Sequence, residues 1–448
     1  MASILDLPDD CLIQIFKKLG CLWQVSWRGV CKRFKHIYIR YSYNSMEVNS
    51  EMATNYGHLM GTDDFLLRSI KRLYLTESSC TKNFLNKLRE CHKEIEEAKL
   101  NSFNDEYLKE LLPLPNLKKL ICFDSYNLRG ESLLELNSLT ELHIDTDMFF
   151  DPENMLQITY YNPLRTLVML SDPQMFSNRY AFEMFENLKN VERLVIEFNP
   201  YKSWQLVGTL PKLKILEIFD FVSDKCETCL EDPNLQQTEQ HAEQHATIFF
   251  DELRRRNQLE ELAFYYGNVS EQHLLRIVEL TNLKRLKFFR VDLTEFLLLG
   301  VFKDLVNLEE LHLLQCDDIY AEPLLELIRC CKKLKVLLLR SVDGVTADFL
   351  TEANDILSRR QPTPLEPLTM EFAEEDEHLK LIKFAMPLPF LRFIRIRFSF
   401  AGQEEVDLRE EDYLVNIYVS NDRDKGFFYP EQADCSRGIS NYDYQYLN

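Results

Sequence analysis

The chain has 448 residues, 46% of them hydrophobic and 28% charged, with a formal net charge of −20. This is the composition of a soluble globular protein with room for several domains or one long repeat array. Its acidity excludes general nucleic-acid binding, which needs a basic surface, and its 12 glycines disfavour Gly-rich phosphate loops. No apolar run approaches the ~20 residues of a membrane span. The start MASILDLPDD lacks the basic-then-apolar pattern of a secretory signal. The 12 cysteines are therefore read as reduced thiols, and Cys122, Cys316 and Cys331 as small buried hydrophobes. A cytoplasmic or nuclear setting is expected, with no cofactor.

The first predicted element is an amphipathic helix. Leu12, Ile15, Phe16 and Leu19 are spaced to share one face. Asp6 is its expected N-cap, with Pro8 near the first turn and Gly20 closing it. An apolar cluster from Leu22 to Trp27 follows, then Val30, Cys31, Phe34 and Ile37 at helical spacing. Three short helices in so few residues make a small core that must lean on a neighbour or a partner.

From residue 70 onward one pattern returns. Its best copy has Leu308, Leu311, Leu313 and Cys316, then Ile319, Leu324, Leu327 and Cys331, with Leu334 opening the next copy. The unit reads L-x-x-L-x-L-x-x-C followed by a helical stretch. Taking the middle leucine-type position as marker gives Leu73, Ala98, Leu120, Leu142, Leu167, Leu194, Leu216, Leu262, Leu286, Leu311, Leu337, Leu368 and Ile394, with Ile417 as a possible last. Their spacing stays near the 20–29 residues of a leucine-rich repeat, apart from 46 residues between Leu216 and Leu262 and 31 between Leu337 and Leu368. The pattern predicts an α/β solenoid, with a curved parallel sheet inside and helices outside.

The long gap admits two explanations, a degenerate unit or an insertion. The polar stretch near 222–245 favours an inserted loop running into a helix from about Gln236 to Arg256. Within it Cys226, Cys229, His241 and His245 have a spacing seen in zinc sites, but too few apolar residues lie between them to build a zinc-finger core, and no metal is expected. Pro362, Pro364 and Pro367 mark a shorter break. The expected organisation is a helical module over 1–45, a solenoid of about 13–14 units over 46–420, and a tail or cap over 421–448.

Leu7-Pro8, Leu12, Ile15-Phe16, Leu19 and Val30-Cys31-Lys32-Arg33-Phe34 resemble an F-box over roughly residues 2–42. The chain departs from that family at Trp23-Gln24-Val25, where an Asp-Leu pair is usual. An F-box followed by such repeats resembles the F-box/leucine-rich-repeat proteins. The resemblance implies a non-catalytic substrate receptor of an SCF-type cullin–RING ubiquitin ligase. The F-box would dock on the Skp-type adaptor of the cullin, and the repeats would hold a protein for ubiquitination and proteasomal degradation. It assigns adaptor contacts to Leu7, Pro8, Ile15, Leu19, Val30 and Phe34. Alternatives are a repeat-built interaction scaffold, or a ligand- or metal-regulated sensor, without a ligase role.

Side chains that flank the core leucines should face the inner curve. There the C-terminal half offers Tyr265, Arg285, Lys287, Phe289, His312, Arg340, Arg395 and Arg397. Basic and aromatic groups in an acidic protein suggest an acidic or phosphorylated client segment. No nucleophile elbow, phosphate loop or metalloprotease motif occurs, so an enzyme is not expected.

Overall fold

In the computed structural model, the described residues are 4, 7–19, 26–27, 29–41, 45–48, 70–146, 150–170, 179–197, 202–222, 238–293, 304–316, 319–340, 346–360, 366–373 and 393–399. One unit covers Met1–Phe398 and a second Ser399–Asn448. The second lies outside the described residues beyond Ser399, as do the expected marker Ile417 and the tail.

Fourteen strands form one sheet in chain order. They are β1 (Ser45–Val48), β2 (Arg72–Thr76), β3 (Glu97–Asn101), β4 (Lys119–Ser125), β5 (Glu141–Thr146), β6 (Thr166–Leu170), β7 (Arg193–Glu197), β8 (Ile215–Val222), β9 (Glu261–Asn268), β10 (Arg285–Asp292), β11 (Glu310–Leu314), β12 (Val336–Arg340), β13 (Leu368–Ala373) and β14 (Ile394–Ser399). Neighbours from β1 to β13 pair in parallel. The register puts the repeat leucines in line: Leu73, Ala98, Leu120, Leu142, Leu167 and Leu194 face one another in turn. The same line continues through Leu216, Leu262, Leu286, Leu311 and Leu337. All are buried, and each such leucine contributes ~1.5–3 kcal/mol of transfer free energy.

Two units differ from the sequence expectation. Leu337 pairs with Met370 and not with Leu368, two residues earlier. Leu368, Met370 and Phe372 are all buried on one face, so alternation alone cannot tell which of the three stands in line. Met46 pairs with Leu73, adding a first strand that the repeat pattern does not mark.

Between strands the chain returns through helices or short turns. The helices are α1 (Asp9–Lys17), α2 (Lys32–Tyr41), α3 (Lys82–Cys91), α4 (Asp105–Leu111), α5 (Pro152–Tyr161), α6 (Ala181–Asn187), α7 (Thr238–Arg256), α8 (Glu271–Ile277), α9 (Ala321–Cys330) and α10 (Ala347–Ser358). Thr81, Asn104, Asp151, Ser270 and Thr346 each accept a backbone N–H at a helix start, which is the work of an N-cap. The first helix begins differently from expectation: Pro8 is its N-cap, with no side-chain cap, and the helix is followed by Lys18. Asp9 and Asp10 in its first turn suit the helix dipole.

The long gap is an insertion. Leu216 pairs directly with Leu262, so no strand stands between β8 and β9. The inserted chain ends in α7, packed against a 3-10 segment over Lys202–Thr209. Gly208 permits that approach, because a Cβ there would lie 2.5 Å from the Cβ of Glu252 on α7.

One backbone device recurs late in the strands. Ser102, Asp124, Asp220, Tyr266, Arg290 and Gln315 have φ between 49° and 62°; Ser102 and Gln315 come directly after their strands, and the other four lie inside theirs. This left-handed step kinks the strand, and in the longer strands pairing resumes beyond it, with Phe221 facing Gly267 and Gly267 facing Val291. Because it recurs from unit to unit, it belongs to the repeat and not to a functional site. In the next position Cys316 directs its thiol at the carbonyl of Phe288, 3.6 Å away on the preceding strand.

A second line runs beside the strand starts: Lys71, Glu96, Lys118, Thr140, Arg165, Glu192, Lys214, Glu260, Lys284, Glu309 and Lys335, each bonded through its backbone to the next. Its charges alternate and pair, as in Lys118–Glu96 at 3.0 Å, Lys214–Glu192 at 2.8 Å and Lys335–Glu309 at 2.6 Å. Being exposed, each pair adds little stability.

Gly267 has φ +106°, and a Cβ there would lie 2.3 Å from the carbonyl oxygen of Phe221. Gly267→Ala is expected to lower stability by ~1–3 kcal/mol, read as a reduced urea midpoint with an unchanged slope.

Candidate functional site

Two surfaces carry the residues singled out in the sequence. The first is the N-terminal helical module. Its core is aromatic: Trp27 stacks on Phe34 with ring centroids 4.0 Å apart and planes 11° from parallel. Phe16 meets Tyr38 edge to face at 6.3 Å. Arg33 ties the two helices together, donating to the carbonyl of Leu7 at 2.7 Å and to Asp9 at 2.6 Å. Phe34 is only 2% exposed. It is a core residue of this chain, because its ring fills the space against Trp27 and leaves no surface for a partner. Leu7, Ile15 and Leu19 are half-buried against the same core, Pro8 is exposed, and Val30 is 61% exposed. Much of the middle of the module, including Trp23 and Gln24, lies outside the described residues.

The second surface is the sheet face built by the residues between and after the core leucines. Register places Lys287 beside Ala263 and His312, Phe289 beside Tyr265 and Leu314, and Arg340 beside Leu314. Arg395 and Arg397 are on β14. The backbone therefore brings the predicted set onto neighbouring strands. The side chains of Arg340, Arg395 and Arg397 lie outside the described residues.

The described side chains here are not a free basic cradle. Glu261 is buried, bonded by Arg285, and its carboxylate lies 2.8 Å from the Lys287 ammonium. Burial alone would raise its pKa, but Lys287 and Arg285 outweigh that and hold it below the usual carboxylate value. Two strands earlier Arg193 reaches Glu217 at 2.7 Å, and the Tyr265 hydroxyl donates to the same carboxylate at 3.1 Å. Burial works against the charge on Arg193, but Glu217 more than compensates and lifts its pKa. Tyr265 and Phe289 are buried, with Tyr265 stacked on Phe219 at 4.5 Å. They brace the face internally and do not stand out as anchors. His312 keeps Glu310 within 3.6 Å.

Sequence reasoning missed Arg193, Glu217 and His143, although each flanks a core leucine and the same rule extended to the N-terminal half would have found them. His143 is buried, and its Nε2 has no hydrogen-bond partner among the described residues. Burial, then Lys119, Arg193 and Lys99, pushes its pKa down to about 3. His273 lies against Phe221 and is pushed down to about 4 by burial. The candidate zinc ligands Cys226 and Cys229, and the side chains of His241 and His245, fall outside the described residues. Among the described residues no cluster of three or more His, Cys, Asp or Glu is placed to hold a metal ion, and no helix is long and apolar enough to cross a membrane.

No family model and no curated protein matches the sequence. Among solved structures the chain is similar to an internalin from Listeria monocytogenes, with 14% identity, a TM-score of 0.38, and 79% of this chain and 96% of that one covered. It is also similar to a chain of the mouse RP105/MD-1 complex, with 15% identity and a TM-score of 0.35, covering 74% of this chain and 52% of that one. The fold itself is that of a leucine-rich-repeat solenoid, defined by the repeat and its strand register.

Removing one partner of a buried ion pair strands the other charge. Arg193→Met is expected to cost ~3–5 kcal/mol, and Arg193→Met with Glu217→Leu to recover much of that loss, measured by urea unfolding. The two histidines give an acid limb. Their folded pKa values, about 3 and about 4, are below the ordinary 6.5, so the unfolded chain binds protons first. Their contribution is complete above about pH 6.5 and is lost as pH falls toward the folded values. His273→Gln should reduce the loss of stability between pH 7 and pH 4 by ~3 kcal/mol, measured by unfolding at the two pH values.

Proposed function

We propose that this chain is the non-catalytic substrate-recognition subunit of an SCF-type ubiquitin ligase. The N-terminal module docks on a Skp-type adaptor and so on a cullin, and the solenoid holds a protein client for ubiquitination. The observation that carries the reading is Val30. In a module whose large rings are packed inward, a β-branched residue of the Val-Cys-x-x-aromatic element is left 61% exposed, and Leu7, Ile15 and Leu19 of the same module are only partly covered. An apolar surface of this kind on a small module is suited to a partner.

The client side follows from the pairing on the sheet face. Arg285 and Lys287 are already engaged with Glu261, so an acidic segment would reach the face through Arg340, Arg395 and Arg397. The protein supplies proximity and orientation and makes no bond itself.

Full-length protein and a purified Skp-type adaptor are expected to elute as one complex in size-exclusion chromatography. Val30→Asp should weaken that complex by roughly 10-fold or more, the cost of a buried charge at an apolar contact, with the unfolding midpoint of the chain unchanged. Failure of the folded wild-type chain to bind the adaptor refutes the ligase reading. In the assembled ligase, Arg395→Glu with Arg397→Glu is expected to abolish client capture while leaving adaptor binding intact, read by co-precipitation under proteasome block.

A further inference from the structure

The outer helices finish their exposed sides in two different ways. Around α3 and α4, neighbouring units are joined by complementary side chains. Lys82 bonds Glu106, Asn86 donates to Glu110, and Lys109 stands 3.0 Å from Glu131 of the following turn. The pair α5 and α6 has no ion pair of this kind among the described residues. Neither helix contains a Lys, Arg or His.

The two helices lie side by side. Near one end Asn187 Nδ2 donates to Thr159 Oγ1 at 3.3 Å, and near the other the Tyr180 hydroxyl donates to Glu153 at 3.4 Å. Their inward faces are filled by Met155 and Ile158 on α5 and by Ala181, Met184 and Phe185 on α6. Outward they show rings and carboxylates. Tyr160 is 71%, Tyr161 57% and Phe182 60% exposed. Tyr160 and Tyr161 meet edge to face at 5.1 Å, a contact that orients the rings without covering them. Glu183 and Glu186 are exposed, and neither has an ion-pair partner among the described residues. Single exposed apolar residues need no explanation, but three large rings on two adjacent helices, one of which also carries two unpaired carboxylates, do.

We propose that the outer face of α5 and α6 is the docking site for a basic segment of a partner protein, one in which Lys or Arg adjoins an aliphatic or aromatic anchor. The two glutamates carry charge that no ion pair among the described residues neutralises, Arg179 beside α6 being engaged by the Tyr180 ring at 4.7 Å, so their carboxylates remain open to an incoming cation. The exposed rings offer apolar area to the anchor and their π-faces to the cation. The same carboxylates repel nucleic acid and anionic lipid, which selects a polypeptide. The face is on the helix side of the array, away from the charged sheet face, so both can be occupied together.

The test uses the full chain, panned against a random-peptide display library. Enriched sequences should carry net positive charge and at least one apolar anchor. A synthetic peptide of the enriched sequence should lose roughly 10-fold or more in affinity, as for removal of an anchor, on Tyr160→Ser with Phe182→Ser and separately on Glu183→Lys with Glu186→Lys. The thermal midpoints of both variants should equal that of wild type, since these side chains are outside the core. Enrichment of acidic peptides, absence of any enrichment, or binding that survives both double variants overturns the proposal. So does a concentration-dependent dimer of this chain abolished by Tyr160→Ser, which would assign the face to a second copy.

Discussion

No unit of this array can bury its own leucines, and the rest of the structure depends on that constraint. A strand such as Glu310–Leu314 has one apolar face and one segment to fold over it. Only a neighbour of the same register covers Leu311 and Leu313 at the edges. Stacking in register then fixes everything that is not leucine. Residues at equivalent positions come opposite one another across each strand pair. The line of leucines in the core, the left-handed residues late in the strands and the line of charges at the strand starts are one translation, applied to different positions of the repeat.

That translation explains the chemistry of the sheet face. Side chains on adjacent strands are close enough for long ones to reach across, and burial makes an unpaired charge costly there. Arg193 bridges to Glu217, and Glu261 gathers Arg285 and Lys287. The face satisfies itself before any client arrives. A partner therefore meets a patterned surface, and exchanging one ion pair for another changes little in net energy while discriminating among clients by geometry.

Much of this was legible in the residues. A repeat needs apolar side chains at fixed offsets, so Leu120, Leu142, Leu286 and Leu311 announce their own alignment. The insertion declared itself through the spacing of Leu216 and Leu262. Three things were not legible, for physical reasons. Alternation with a period of two has no origin, so Leu368 and Met370 are equivalent until a neighbour pairs with one of them. Charge is visible in a sequence but the reach of a side chain is not, so Lys287 reads as a free cation until Glu261 is placed beside it. Val30 and Phe34 share helical spacing, and only packing separates them: the ring has Trp27 to stack on and the smaller side chain has no such partner.

The alternating charges beside the strand starts bear on how such an array can change length. From Lys71 through Glu96 to Lys118, and again from Glu192 to Lys335, sign reverses at every step. Excising one internal unit from either run would set like charges side by side, Lys71 against Lys118 for instance, whereas removing two consecutive units restores the alternation. Near the neutral Thr140 the rule relaxes, since losing the unit of Lys118 or that of Arg165 leaves a carboxylate beside a threonine. Growth and shrinkage of the solenoid by duplication or deletion are thus biased toward even steps, with one tolerant seam about a third of the way along.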